Sequence, residues 1–288
     1  MEAGGKRYIV YGSRSNTISI WNLADLHMGS AACAEDLLRK DVAAIRDDPC
    51  AFWFGGGDYA DFIGYTDIRF DPDVVAPWIS VKDLKQLGRV SMRRVRDLLL
   101  PIKDKCLGLL EGNHEKKYEL KKDHEGLHGW LCEELGAANL AYSCLVDVTF
   151  VRHPRTARPT LTLDNPDRQN SRRAFRFFLH HGAGYAQTAG GKLNRLIQFM
   201  YSFDADVYMC GHVHDQVGRR EPMIGADADC KKLIAKEKVG VISGSYLKTY
   251  AQGTTTYGEM KGYRPTVLGA AKVEVTPMAT KQPVKGAI

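Results

Sequence analysis

Long hydrophobic runs are missing from this 288-residue chain; none approaches the ~18 residues that a membrane-spanning helix needs. The opening segment, Met1-Glu2-Ala3-Gly4-Gly5-Lys6-Arg7, lacks the apolar stretch of a secretory signal. There is no internal repeat and no low-complexity tract. Cysteine is present but unpatterned: seven residues, at 33, 50, 106, 132, 144, 210 and 230, with no Cys-x-x-Cys pair. Several lie in apolar runs, as Cys210 does after Val207-Tyr208-Met209, and read as reduced core thiols. The expected location is a reducing cytoplasm, with no membrane partner.

What is present is an ordinary globular composition, 44% hydrophobic and 26% charged, enough for one large α/β domain or two small ones. The net charge of +6 fits a polyanionic substrate without requiring one. Residues 1–15 show no clear period and are expected to be a variable leader. Residues 16–276 alternate short β-rich runs with amphipathic stretches, and residues 277–288 read as a loose tail. Strands are expected at 17–23, 51–54, 106–110, 140–152, 174–179, 207–210, 239–242 and 267–275. Helices are expected at 33–46, 81–100, 125–135 and 192–201. That alternation describes an α/β domain with parallel or mixed sheets.

Five short motifs follow the apolar runs: Asp25-Leu26-His27, Gly57-Asp58, Gly112-Asn113-His114-Glu115, His180-His181-Gly182 and Gly211-His212-Val213-His214. Each alone has a plain structural explanation. Asp25 could cap a helix and Gly57-Asp58 could be a turn. Their common placement is what joins them, because ligands in α/β sheets bind beyond the carboxyl ends of the strands. Six or seven oxygen and imidazole donors gathered there suit a pair of borderline divalent metals. Two metals about 3.5–4 Å apart clamp the attacking and leaving oxygens of a phosphoryl displacement. Hydrolysis of a phosphate ester is therefore the expected chemistry.

The order of these blocks, from Thr17 to Val275, resembles the calcineurin-like metallophosphoesterase superfamily. The resemblance implies two mixed β-sheets packed as a sandwich, flanked by helices, with a binuclear metal centre. It further implies that Asp25, His27 and His214 hold one metal and that Asp58 bridges both. Asn113, His212 and one of His180 and His181 would hold the second; which histidine is left open by the sequence. Imidazole ligands favour Mn, with Fe or Zn as substitutes, over Mg or Ca. A hydroxide shared by the two metals would be the nucleophile. His114 would stabilise phosphate charge and protonate the leaving oxygen, and Glu115 would fix the tautomer of a neighbouring histidine.

Outside the motifs, seven arginines (152, 155, 158, 168, 172, 173, 176) crowd residues 151–176 and form a candidate nucleic-acid contact. A nuclease of the same fold is thus the alternative function, and a catalytically silent metal-binding scaffold is another. Lys116, Lys117, Lys121 and Lys122 could steer an anionic substrate. The loop 253–258 and the aromatic loop 59–70 could line the site or mediate self-association as a homodimer. His124 and His128, four apart on one helix face, are a weak second metal pair.

Overall fold

The computed structural model describes the chain except residues 66, 68, 123–125, 167–170, 185, 228 and 288. Two mixed sheets stack face to face. The larger has the order β6-β1-β5-β7-β8-β10-β9, and the smaller β12-β11-β2-β3-β4. Their strands are β1 (Glu2–Tyr11), β2 (Ile18–Leu23), β3 (Ala51–Gly55), β4 (Cys106–Leu109), β5 (Ser143–Arg152) and β6 (Thr160–Thr162), then β7 (Ser171–His180), β8 (Val207–Cys210), β9 (Val217–Ala226), β10 (Leu233–Ile242), β11 (Ala271–Val275) and β12 (Val284–Ala287).

Period-2 alternation explains the layering. Along β2 and β3, Ile18, Ile20, Phe52 and Phe54 point into the inter-sheet core. From β7 and β8 the same core receives Phe175, Phe177, Leu179, Val207 and Met209. The intervening residues point outward but are buried too. Leu23 and Trp53 meet helices α1 (Glu35–Asp47), α2 (Leu87–Leu99) and α4 (Leu127–Leu135). Phe178, Tyr208 and Cys210 meet α5 (Ala189–Ser202) through Leu196 and Met200. Strands covered on both faces read as continuous apolar runs, which is why β3 and β8 were legible. In α1 the buried residues are Leu38, Val42 and Ile45, one apolar stripe at helical spacing.

Two expectations are corrected, and one helix had no counterpart among them. The stretch expected as a leader contains β1, which pairs parallel with β5 and antiparallel with β6. Its burial is confined to the Arg7–Tyr11 half, so two glycines and two charges mask the pattern ahead of it. The tail contains β12, an edge strand on β11. A helix, α3 (Asn113–Lys122), starts at the third motif; its Lys-rich sequence carries no apolar stripe. Among the described residues no helix is long and apolar enough to cross a membrane, and all seven cysteines are free thiols.

Candidate metal centre

The strands β2, β3 and β4 run parallel, as do β7 and β8, so five carboxyl ends emerge at one edge of the sandwich. Asn22 ties the sheets together there. Its side chain donates to the Cys210 carbonyl at 3.0 Å, and its own carbonyl accepts from the Ser243 hydroxyl at 2.7 Å. Asp25, Asp58, Asn113, His181 and His212 are each one to four residues past a strand end. The loops are strained in a shared way. Asp25, His27, Asp58, His212 and His214 all have φ between 47° and 70°, the left-handed region that non-glycine residues seldom occupy. The glycines let these loops touch: a Cβ on Gly57 (φ 88°) would lie 2.7 Å from the Gly112 backbone, and one on Gly112 would lie 2.1 Å from the Asp58 nitrogen.

Three overlapping groups of ligand atoms result, each within 4.8 Å: Asp25, His27 and His214; Asp58, His181 and His212; and His27, Asp61 and His114. His27 Nε2 lies 3.2 Å from His214 Nε2, and His214 Nε2 lies 3.4 Å from Asp25 Oδ1. His181 Nε2 faces Asn113 Oδ1 at 3.0 Å and Asp58 Oδ2 at 3.3 Å. The far nitrogens are fixed: His181 Nδ1 donates to the Gly56 carbonyl at 2.8 Å, and His27 Nδ1 meets Asp61 Oδ1 at 3.1 Å. With those protons placed, both Nε2 atoms aim into the cluster, the arrangement that metal-binding histidines use. Asp25 Oδ1 is buried without a hydrogen-bond partner, and a buried carboxylate oxygen of that kind calls for a cation. The donor set therefore fits divalent metals.

The charges tell the same story. Burial opposes ionisation of Asp58, yet His181 and His114 outweigh it and hold its carboxyl well below the usual range. Burial also opposes charge on His181, but Asp58 lifts it to about 10. Two oxygens confronting one Nε2 are favouring a positive charge at that point. His212, by contrast, is pushed down to about 4, by burial first and by His181 next.

Of the sequence-derived candidates, Asp25, His27, Asp58, Asn113, His114, His181, His212 and His214 come together. His180 does not. It is the last residue of β7 and shares a face with Phe178, so its ring packs on Phe199 of α5 with centroids 4.7 Å apart, and its Nδ1 accepts from Gly182 N–H at 2.8 Å. Glu115 is close by but holds main chain, not a histidine: Oε2 accepts from Asp58 and Gly112 N–H at 3.0 and 2.9 Å, and Oε1 from Tyr59 N–H at 2.6 Å. Burial, then the Asp58 charge, raises its carboxyl to about 7. Asp61 was missed. Besides orienting His27, it gives its carbonyl to His114 Nδ1 at 2.5 Å; a carboxylate three residues past Asp58 carries no motif of its own.

The arginines of β7 extend away from the cluster. Arg172 sits eight residues before His180 on β7, roughly 26 Å toward the opposite end of the sheet. Arg176 pairs with Asp147 at 2.9 Å, and Arg173 donates to the carbonyls of Pro277 and Ala279 at 3.2 and 2.5 Å. Arg168, His124 and the side chains of Lys121 and Lys122 fall outside the described residues. Lys116 reaches Glu111 at 3.6 Å, whereas Lys117 lines the cavity over the site. His128 is buried away from the cluster, its Nε2 3.2 Å from Asn139 Oδ1.

A two-sheet sandwich with imidazoles and carboxylates gathered at five strand ends presents candidate metal-binding groups. The chain belongs to the calcineurin-like phosphoesterase family, whose model matches residues 18–216. Among solved structures it is similar to Vps29 from Entamoeba histolytica complexed with zinc, at 11% identity and TM-score 0.39, covering 94% of this chain and 97% of that one. It is also similar to a conserved protein from Streptococcus pneumoniae TIGR4 described as a predicted phosphoesterase, at 11% identity and TM-score 0.32, covering 90% and 84%. No curated protein matches the chain in sequence.

Proposed function

We propose that this chain is a cytoplasmic, binuclear metal-dependent hydrolase of phosphate mono- or diesters. The convergence of three ligand groups around Asp25, His27, Asp58, His181, His212 and His214 carries this reading. Asp25, His27 and His214 would hold one divalent ion, Asn113, His181 and His212 the second, with Asp58 between them. The mixed imidazole and oxygen set favours Mn, with Fe or Zn able to replace it. Two such ions supply the positive charge and Lewis acidity that phosphoryl transfer requires.

The remaining work falls to the chain's own groups. His114 lines the cavity beside the cluster; its Nδ1 is held by the Asp61 carbonyl, leaving Nε2, 4.0 Å from Asp58 Oδ2, as the proton donor. Burial disfavours its charge, but Asp58 and Asp61 outweigh that and raise it above the ordinary histidine value. A cationic His114 can stabilise phosphate charge and protonate the departing oxygen. Asp61 positions both His27 and His114. A nuclease gains no support from Arg173 and Arg176, which are engaged in the fold.

The test is elemental analysis of Mn-loaded protein together with hydrolysis of a monoester, bis-p-nitrophenyl phosphate and single-stranded DNA. About two ions per chain are expected. His114→Ala should keep the metal but slow an ester with a poor leaving group by roughly 10²–10⁴-fold, and a nitrophenyl ester much less. Near-zero metal after loading, or no hydrolysis of any ester, overturns the proposal.

A further inference from the structure

Strands β9 and β10 pair along their whole length, but β8 pairs only with the Val239–Ile242 end of β10. Beyond that end, residues 221–226 and 233–238 run on as a two-stranded ribbon, roughly 20 Å long at ~3.3 Å per residue. Among the described residues it has no strand on either side. Its base is anchored. Glu221 is buried and accepts from Arg219 Nε at 2.7 Å, and Lys238 Nζ donates to the Met200 carbonyl at 2.6 Å. The outer part is not: residues 222–226 and 233–237 are all exposed except Gly225, which is half-buried. A two-stranded ribbon alone is marginally stable in water, so this one gains order from whatever it packs on.

Strand parity sorts the ribbon's side chains. Val239 and Val241 face the inter-sheet core, so Leu233, Ala235 and Glu237 share their side, as do Pro222, Ile224 and Ala226 opposite them on β9. The small sheet covers this side only at the base, where a Cβ on Gly286 of β12 would lie 3.1 Å from Val241. Past it, Pro222, Ile224, Ala226, Leu233 and Ala235 form one uncharged face, with Ile224 71% and Leu233 82% exposed. The opposite side mixes Met223 and Ile234 with Glu221, Lys236 and Lys238. A contiguous apolar face of roughly 400 Å², bordered by charge, marks an interaction surface, not scattered exposure. Pro222 decides how that surface is used. Having no N–H, it blunts strand addition along the free edge of β9, and docking is left to the face.

We infer that this face binds the same face of a second copy of the chain, in a two-fold dimer of stacked ribbons. Area favours that occupant: ~400 Å² from each copy, with the charged border added, reaches the ~1,200 Å² at which stable protein interfaces begin. Charge favours it too. When the ribbons run tip to base about the two-fold axis, Leu233 of one copy covers Ala235 of the other. Lys231 and Lys232 of the turn then arrive at the other copy's Glu237, which Arg220 holds at the base of the same face. A self-complementary contact of this kind closes on itself, so association stops at two. The test is sedimentation velocity on the full chain, with reductant present so that the exposed Cys230 cannot link copies. A species of twice the 32.1 kDa chain mass is expected at ~100 μM, dissociating toward monomer near ~1 μM. Ile224→Glu/Leu233→Glu should be monomeric at both concentrations, with circular dichroism unchanged. Lys236→Glu, on the ribbon's other side, should stay dimeric, which separates loss of the face from loss of the ribbon. A monomeric wild type at the higher concentration, or a dimer that survives the double glutamate substitution, overturns the inference. So does a monomer that co-sediments with phosphatidylcholine–phosphatidylserine vesicles and loses them on Leu233→Glu, since a lipid surface is then the occupant.

Discussion

Replacing Glu115 tests whether the site is held by its backbone clamp. The carboxylate is 1% exposed and accepts three main-chain N–H groups, from Asp58, Tyr59 and Gly112. These bonds fasten the loop after β3, where Asp58 holds φ 53°, to the loop after β4. Glu115→Gln keeps the volume but turns one acceptor oxygen into an NH₂, which must then confront a buried N–H. One unmet buried donor costs about 1–3 kcal/mol. The bonds that survive also lose their charge assistance, so a total near 3 kcal/mol is expected. At roughly 2–4 °C per kcal/mol for a chain of this size, Tm should drop by about 6–12 °C. Glu115→Ala, which strands all three donors, should cost more, about 4–5 kcal/mol. The assay is urea unfolding at pH 8 followed by circular dichroism, with chelator present so that metal binding does not add to stability. A glutamine variant within about 0.5 kcal/mol of wild type would refute the clamp, since surface substitutions already scatter that much.

Four further outcomes follow from the same geometry. His181→Ala should lower metal content from about two ions toward one by elemental analysis, whereas His180→Ala should leave it unchanged, because only the former faces Asp58 and Asn113. Asp61→Asn should weaken metal affinity by roughly 10–100-fold in a competitive chelator titration while the fold persists, as loss of a histidine's orienting carboxylate does. Joint replacement of Arg172, Arg173 and Arg176 by Ser should reduce unfolding free energy by about 1–2 kcal/mol and leave bis-p-nitrophenyl phosphate turnover within about twofold; a large loss of turnover would contradict their distance from the site. Burial pushes His128 down to about 4, so the folded state stays neutral while the unfolded chain protonates near 6.5. Stability should therefore fall as pH drops from about 6.5 to 4, and His128→Leu should flatten that limb in urea titrations at several pH values.

Much of the candidate site was readable from the chain alone because its donor residues follow strands whose sequences announce themselves. Phe52-Trp53-Phe54 and Val207-Tyr208-Met209 are apolar at every position because both faces of β3 and β8 are covered, and the motif residues simply come next. The α/β alternation was legible for that reason, and the order of the motifs supplied the resemblance that implied the family and its two-sheet sandwich. Elements that bury little were not. The exposed β9 has no apolar alternation to detect, and α3 is a lysine-rich helix whose first residues serve the site. The choice between His180 and His181 depends on strand parity. Phe178 and His180 face α5, so only the residue beyond the strand can turn toward Asp58. Asp61 depended on tertiary structure altogether. It reaches His27 and His114 because Glu115 draws the loop after β3 against the start of α3, a contact between segments 57 residues apart. Local pattern determined which residues would stand at the strand ends; the packing of two sheets and three loops decided which of them face one another, because side-chain direction is set by the backbone that the rest of the fold holds in place.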